Sequence, residues 1–227
     1  WAVRGLENRV HRVKLLAEDV AGNTAVSEKN ALIQVAPPPP PVITEPAGDM
    51  IVASNCIDVR GTAEPFVSVR ISRNGTVAGT TQAGADGFFE VSDAGLLEGD
   101  NAIVAAAFDD VGVSARSNGV NVVLDSGPPP APIMNDPTVT TGLGVALNWR
   151  HSELGERAAR FRIYRHDAPF SDPAQATLIE DSYGDLTYLD EDPPDGLFYY
   201  GVEGIDGAGN TSILSNVVSI QYDSTRS

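Results

Sequence analysis

The amino-acid sequence predicts an all-β chain built as a tandem of two-layer sandwiches. Three observations lead there. A turn segment recurs at the spacing of one module, the runs flanking it alternate with period two, and two proline clusters cut the chain between its copies.

The turn is clearest at its ends. Ala17-Glu18-Asp19-Val20-Ala21-Gly22-Asn23-Thr24 returns as Gly204-Ile205-Asp206-Gly207-Ala208-Gly209-Asn210-Thr211, with a worn copy at Ala107-Phe108-Asp109-Asp110-Val111-Gly112-Val113-Ser114. The three aspartates stand 90 and 97 residues apart, which is one sandwich of ~100 residues. Before each copy small or apolar residues alternate with others: Val13, Leu15, Ala17; Ile103, Ala105, Ala107; Phe198, Tyr200, Val202. Period two means one buried face. After each copy comes a second run, 30–35, 118–123 or 216–220, so the three read as closing hairpins whose Gly and Asn supply positive φ.

The proline clusters are Pro37 to Pro41 and Pro128, Pro129, Pro130 and Pro132. Lacking backbone donors and favouring polyproline geometry, they act as semi-rigid spacers. The expected organisation is therefore 1–36, closing strands of an incomplete module; 37–41, linker; 42–125, a complete module; 126–131, linker; 132–222, a second complete module; and 223–227, a tail. The first piece is too short to bury a core unaided and is expected to need residues upstream of Trp1 or a neighbour to pack on.

Within 42–125, residues 56–63 alternate, 66–71 form the next strand, Asn74-Gly75 is the strongest short hairpin signal, and Phe88-Phe89-Glu90-Val91 follows the turn at Asp86-Gly87. Within 132–222, strands are expected at 145–149, 161–165, 177–179 and 187–189, with room for a helical turn near Asp172 to Ala176. No helical period appears in 42–125.

Composition narrows the function. Acidic residues outnumber basic ones 31 to 15, for a net charge of −16, so nucleic acid and anionic lipid are repelled as partners. No run approaches the ~20 apolar residues of a bilayer span, which argues against membrane insertion. Cys56 is the single cysteine, so there is no intrachain disulfide and no thiol pair for zinc or redox chemistry. Trp1 opens the chain without a methionine or leader, which suits an internal fragment whose export signal lies upstream.

Several residues are candidate sites. His11, His151 and His166 have no Ser, Cys or second His at triad or ligand spacing, and read as surface histidines. Asp19, Asp206, Asp109-Asp110, Glu180-Asp181 and Asp190-Glu191-Asp192 could supply calcium oxygens at module junctions. No Asp-x-Asp-x-Asp-Gly spacing is present, so the repeated Asp reads as a turn-former and the others as solvated loop charges. Trp149, Tyr164, Tyr183, Tyr188, Tyr199 and Tyr200 could stack sugars if exposed, but Trp149 and one tyrosine face read as core. Asn74-Gly75-Thr76 and Asn210-Thr211-Ser212 match the glycosylation acceptor pattern. No catalytic, cofactor-binding or metal residue is predicted, and no enzyme.

These motifs carry a resemblance. Val59-Arg60-Gly61-Thr62-Ala63-Glu64-Pro65, Asn74-Gly75 and Asp86-Gly87-Phe88 occur in the order shown by bacterial Ig-like domains, which 42–125 resembles. Trp149, Phe161-Arg162-Ile163-Tyr164-Arg165 and Tyr199-Tyr200-Gly201-Val202 leading into Asp206 make 132–222 similar to a fibronectin type III domain. Many such domains place a tyrosine four residues before the valine that matches Val202; here it is Phe198, so a corner hydrogen bond would fall to Tyr199 or Tyr200. The bacterial resemblance makes the glycosylation patterns incidental. It implies structural, adhesive or spacer modules at a bacterial cell surface or outside the cell, with neighbouring domains of the same parent chain as partners. The alternatives are accessory modules beside an extracellular hydrolase or polymorphic toxin, or a carbohydrate-binding module; no protein or glycan ligand is named.

Overall fold

The computed structural model describes residues 9–33, 36–140, 143–191 and 193–225. The chain divides into two compact units, Trp1–Met50 with Asn55–Val123, and Ile51–Ser54 with Leu124–Ser227.

The first unit begins with a regular antiparallel hairpin, β1 (Arg9–Glu18) and β2 (Thr24–Ile33), paired from Arg9↔Ile33 to Glu18↔Thr24. Residues 34 and 35 of the expected second strand lie outside the described residues. Opposed residues share a face, so Val13, Leu15, Ala17 and Ala25 line one side. On the other, Arg12 and Lys14 bridge to Glu28 at 3.2 and 3.9 Å.

The strands that follow are β3 (Val42–Glu45), β4 (Met50–Val52), β5 (Cys56–Thr62), β6 (Ser68–Arg73), β7 (Thr76–Gln82), β8 (Phe88–Gly95), β9 (Gly99–Phe108) and β10 (Val120–Leu124). They form two sheets, β4-β10-β9-β6-β7 and β3-β5-β8. Alternation along β6 and β9 sends Val69, Ile71, Ile103, Ala105 and Ala107 inward, where each is fully buried with Val59, Phe89 and Val122. Each large side chain buried there contributes about 1.5–3 kcal/mol. Gly61 is required in this core, because a Cβ there would collide with the Val42 carbonyl and the Phe89 ring. The Asn74-Gly75 hairpin forms as its sequence demands, both residues at positive φ, 49° and 82°.

The second unit contains β11 (Ile133–Met134), β12 (Thr138–Thr140), β13 (Gly144–Arg150), β14 (Arg160–His166), β15 (Thr177–Tyr183), β16 (Thr187–Glu191), β17 (Gly196–Ile205) and β18 (Val218–Tyr222). One sheet is built on β13, which pairs β11, β12 and β16, and the other runs β15-β14-β17-β18. Val145, Leu147 and Trp149 of β13 pack against Phe161, Ile163, Tyr200 and Val202. The expected helical turn is a short 3-10 element, Pro173–Gln175, capped by Asp172, whose carboxylate accepts from the Ala174 N–H at 2.9 Å.

Both units close through one serine ladder. In the first, Ala107 and Ala105 donate to the hydroxyls of Ser114 and Ser117 at 2.9 and 2.8 Å, and Asn118 both accepts from and donates to the backbone of Ile43. In the second, Gly204 and Val202 donate to Ser212 and Ser215 at 2.8 and 3.0 Å, and Asn216 does the same to Met134. These segments are therefore not the tight hairpins expected from sequence; only β1–β2 is one. Serine hydroxyls stand in for strand carbonyls while the chain crosses toward its final strand, which satisfies backbone donors that would otherwise be orphaned.

Candidate functional site

The repeated aspartate holds a turn in all three copies, and two of the three turns are alike. The Asp206 N–H donates to the Asn210 carbonyl at 3.1 Å, its Oδ1 accepts from the N–H groups of Ala208, Gly209 and Asn210, and its Oδ2 accepts from the Asn210 side chain. Asp19 repeats the pattern, with Oδ1 accepting from Ala21 and Asn23 and Oδ2 from the Asn23 side chain. Those bonds, the Asn23 side chain first, hold its carboxyl below the usual range. Asp109 accepts from Val111 and Gly112, in a turn closed one residue sooner, at the Gly112 carbonyl.

The predicted source of positive φ needs correction. Gly22 and Gly209 take it, at 83° and 98°, but Gly112 does not, because its turn is shorter. Neither Asn23 nor Asn210 has a positive φ; they serve through their side chains.

Asn210 reaches further than Asn23. Its Nδ2 also donates to the carbonyls of Asp125 and, more weakly, Gly127, tying the proline segment to the turn. That brings together three carboxylates distant in sequence. One oxygen each from Asp125, Glu156 and Asp206 lie within 4.8 Å of one another. The nearby Asp125 charge, then some loss of solvation and a hydrogen bond that the protonated carboxyl donates to that neighbour, push the Glu156 carboxyl up. Such a set could approach a hard cation, but calcium takes six to eight oxygens, and both Asp206 oxygens already accept hydrogen bonds within the turn.

A second polar group lies inside the sandwich. Asp190, expected on a solvated loop, is on β16 and only 6% exposed. Arg165 reaches both its oxygens, at 3.1 and 2.8 Å, and the Tyr200 hydroxyl donates to Oδ2 at 2.7 Å. Burial, followed by this hydrogen bond to a carboxylate, raises the Tyr200 phenol above its ordinary range. The loop reading of Asp190 is therefore wrong, because strand pairing carries it onto Arg165. Glu180 and Asp181 also lie on a strand, β15, and Arg162 Nε donates to Asp181 at 2.9 Å. Asp192 lies outside the described residues, and Glu191 is exposed.

The remaining candidates are dispersed. His11 is on β1, His151 follows β13 and His166 ends β14. His151 lies against Phe161, and burial first, then Arg157, lowers its affinity for a proton. Trp149, Tyr164 and Tyr200 are buried, at 3%, 7% and 0% exposure, while Tyr183, Tyr188 and Tyr199 are half-buried, so these aromatics build core rather than a platform. Phe198 has no hydroxyl for a corner bond and instead lies under the Arg165 guanidinium at 5.3 Å, while the Tyr200 hydroxyl goes to Asp190. Cys56 is half-buried, its thiol 3.6 Å from Asp93. Sequence reasoning missed Phe66, held at φ 65° and 66% exposed. The available signal was Pro65-Phe66, a proline followed by a bulky residue where a type II turn asks for glycine.

Against known proteins, no family model matches the chain. Bacillopeptidase F of Bacillus subtilis (strain 168) is 33% identical over 185 residues, which is 81% of this chain and 12% of that protein. Titin domains A168–A170 align over 96% of this chain and 84% of theirs, at 11% identity and a TM-score of 0.57. The fold is a tandem of immunoglobulin-like and fibronectin type III-like β-sandwiches. Fibronectin(III)-like modules of Clostridium thermocellum CbhA align over 81% of this chain and 94% of theirs, at 15% identity and a TM-score of 0.47. Among the described residues, no helix is long and apolar enough to cross a membrane.

Proposed function

We propose that the chain is a set of non-catalytic spacer modules of a longer bacterial protein that works outside the cell. Its complete modules are 42–125 and 132–222, its linkers 37–41 and 126–131, and its first 36 residues close a further module. The observation that carries this reading is how the polar side chains are used. The carboxylates of Asp19, Asp109 and Asp206 hold turns, Asp190 joins Arg165 to Tyr200, and Ser114, Ser117, Ser212 and Ser215 complete backbone ladders. These hydroxyls and carboxylates are spent on holding backbone and strands in place, which is the work a spacer module asks of its polar side chains.

Single-molecule stretching of the whole chain tests this. Two separate unfolding events are expected, each releasing about 300 Å of contour less the folded length, at roughly 3.6 Å per residue. One event, or none above thermal noise, would count against mechanically independent modules. The likeness to Bacillopeptidase F favours a second reading, accessory modules beside a peptidase. Deleting 42–222 from the parent would then alter its action on a large protein substrate while sparing a short peptide one.

A further inference from the structure

One position in the first unit contradicts what folding alone would select. Glu64-Pro65-Phe66-Val67 is a turn closed by the Val67 N–H on the Glu64 carbonyl, with proline second and a positive φ of 65° third. Glycine fits that third place at no steric cost, whereas phenylalanine is strained there. Phe66 is also 66% exposed, so its ring gains little from burial. The backbone is pinned in this conformation: the Phe66 N–H donates to the Ala83 carbonyl at 3.0 Å, and the Gln82 side chain donates to the Phe66 carbonyl at 2.9 Å. Strain and solvent exposure thus coincide at an aromatic residue whose ring the fold leaves largely uncovered, the kind of place where strained backbone clamps a ligand.

Phe66 also borders a hollow of about 320 Å³ together with Phe108, Ser68, Gln82 and Asp110. One N–H of the Gln82 amide goes to the Phe66 carbonyl, which leaves its amide oxygen and second N–H, the Ser68 hydroxyl and the exposed Asp110 carboxylate as the polar groups of the rim, a mixed set weighted toward acceptors. We propose that this hollow is a subsite for a neutral pyranose ring of a glycan, with its C–H face on Phe66 and its hydroxyls donating to Asp110 and Gln82.

The chemistry favours this over other occupants. An acidic sugar or phosphate would meet Asp110 and a chain of net charge −16. A cationic group would compete for the Phe108 ring with the Arg70 guanidinium, which already lies 5.8 Å from its centre. A proline-rich segment presents carbonyls but no N–H donors at its prolines, so it would leave the Asp110 carboxylate without a partner. A pyranose brings both an apolar face and several hydroxyl donors.

The test is native electrophoresis of the full chain through gels cast with hydroxyethylcellulose, xylan or galactomannan, with a lysine-rich peptide as competitor. At least one polysaccharide should retard the wild-type chain. Phe66→Gly should weaken that retardation at least tenfold while its thermal midpoint holds or rises, and Asp110→Asn should weaken it with the midpoint unchanged. The proposal is overturned if no gel retards the wild type, if Phe66→Gly binds equally well, if its midpoint falls, which would make Phe66 structural, or if the peptide displaces the chain from the gel. None of these outcomes bears on the stretching experiment, so the spacer reading stands or falls separately.

Discussion

The strands β1 and β17 run into the same aspartate turn, yet their side chains meet opposite environments. Aligned on Asp19 and Asp206, Val13 corresponds to Tyr200 and Leu15 to Val202. Tyr200 and Val202 are fully buried, whereas Val13 and Leu15 are 48% and 64% exposed. The copy on β9 sides with β17: Ile103, Ala105 and Ala107, at the same places, are all buried. The turn is thus a local object, made by an aspartate and the N–H groups of the next few residues, and it forms wherever its sequence occurs. Burial is not local. It depends on β6 or β14 pairing along the strand's other edge and on a second sheet across the core, and among the described residues β1 is paired by β2 alone.

That contrast is sharpest at the aspartates. Asp206→Ala should cost the second unit about 3 kcal/mol, because three part-buried backbone donors lose the charged acceptor of a fully buried residue. Asp19→Ala should leave the unfolding of both sandwiches unchanged, since water replaces an exposed carboxylate. Chemical denaturation followed by an environment-sensitive signal from Trp149 reads the first. An equal loss in both variants would mean that the hairpin is coupled to a core after all. A smaller effect separates the strands themselves. Val202→Ala should cost about 2 kcal/mol through lost burial and a cavity, and Leu15→Ala close to nothing. Hydrogen exchange should agree, with slow amides along β17 and fast ones along β1.

What the sequence could reveal follows the same division. Alternating runs and turn residues are local, so the strands from Cys56 to Thr62 and Gly144 to Arg150, the Asn74-Gly75 hairpin and the aspartate turns were all legible. The edge strands β3, β4, β11 and β12, of two to four residues, are too short to show a period. Ser-x-x-Ser-Asn occurs twice, at 114–118 and 212–216, and was visible as a repeat, but its meaning rests on bonds to Ile43 and Met134 more than 70 residues away. Asp190 reads as one of three solvated acids because nothing nearby in sequence indicates that β16 brings it to Arg165. The meeting of Asp125, Glu156 and Asp206 is likewise a product of tertiary structure. Phe66 was legible in principle, as a bulky residue directly after a turn proline.

The acid trio offers the mildest test of how far the Asp206 turn differs from its exposed copy. Glu156 is exposed, and its carboxyl is pushed up mainly by Asp125, with lesser contributions from burial, a hydrogen bond and Asp206. A carboxyl whose folded pKa is raised is one whose ionised form the fold disfavours. That penalty is complete above the folded pKa, shrinks as pH falls through it, and is gone below the unfolded value. Glu156→Gln should therefore raise the thermal midpoint of the second unit slightly at pH 7, by an increment that salt screens, and the gain should vanish by about pH 4, near the ordinary glutamate value. Calcium should leave the wild-type midpoint where it is, since Asp206 has no oxygen uncommitted. A midpoint that rises with calcium in the wild type but not in Glu156→Gln would instead turn the trio into a ligand set and the turn into its scaffold. Asp19, with no equivalent acids gathered around it among the described residues, should respond to neither change.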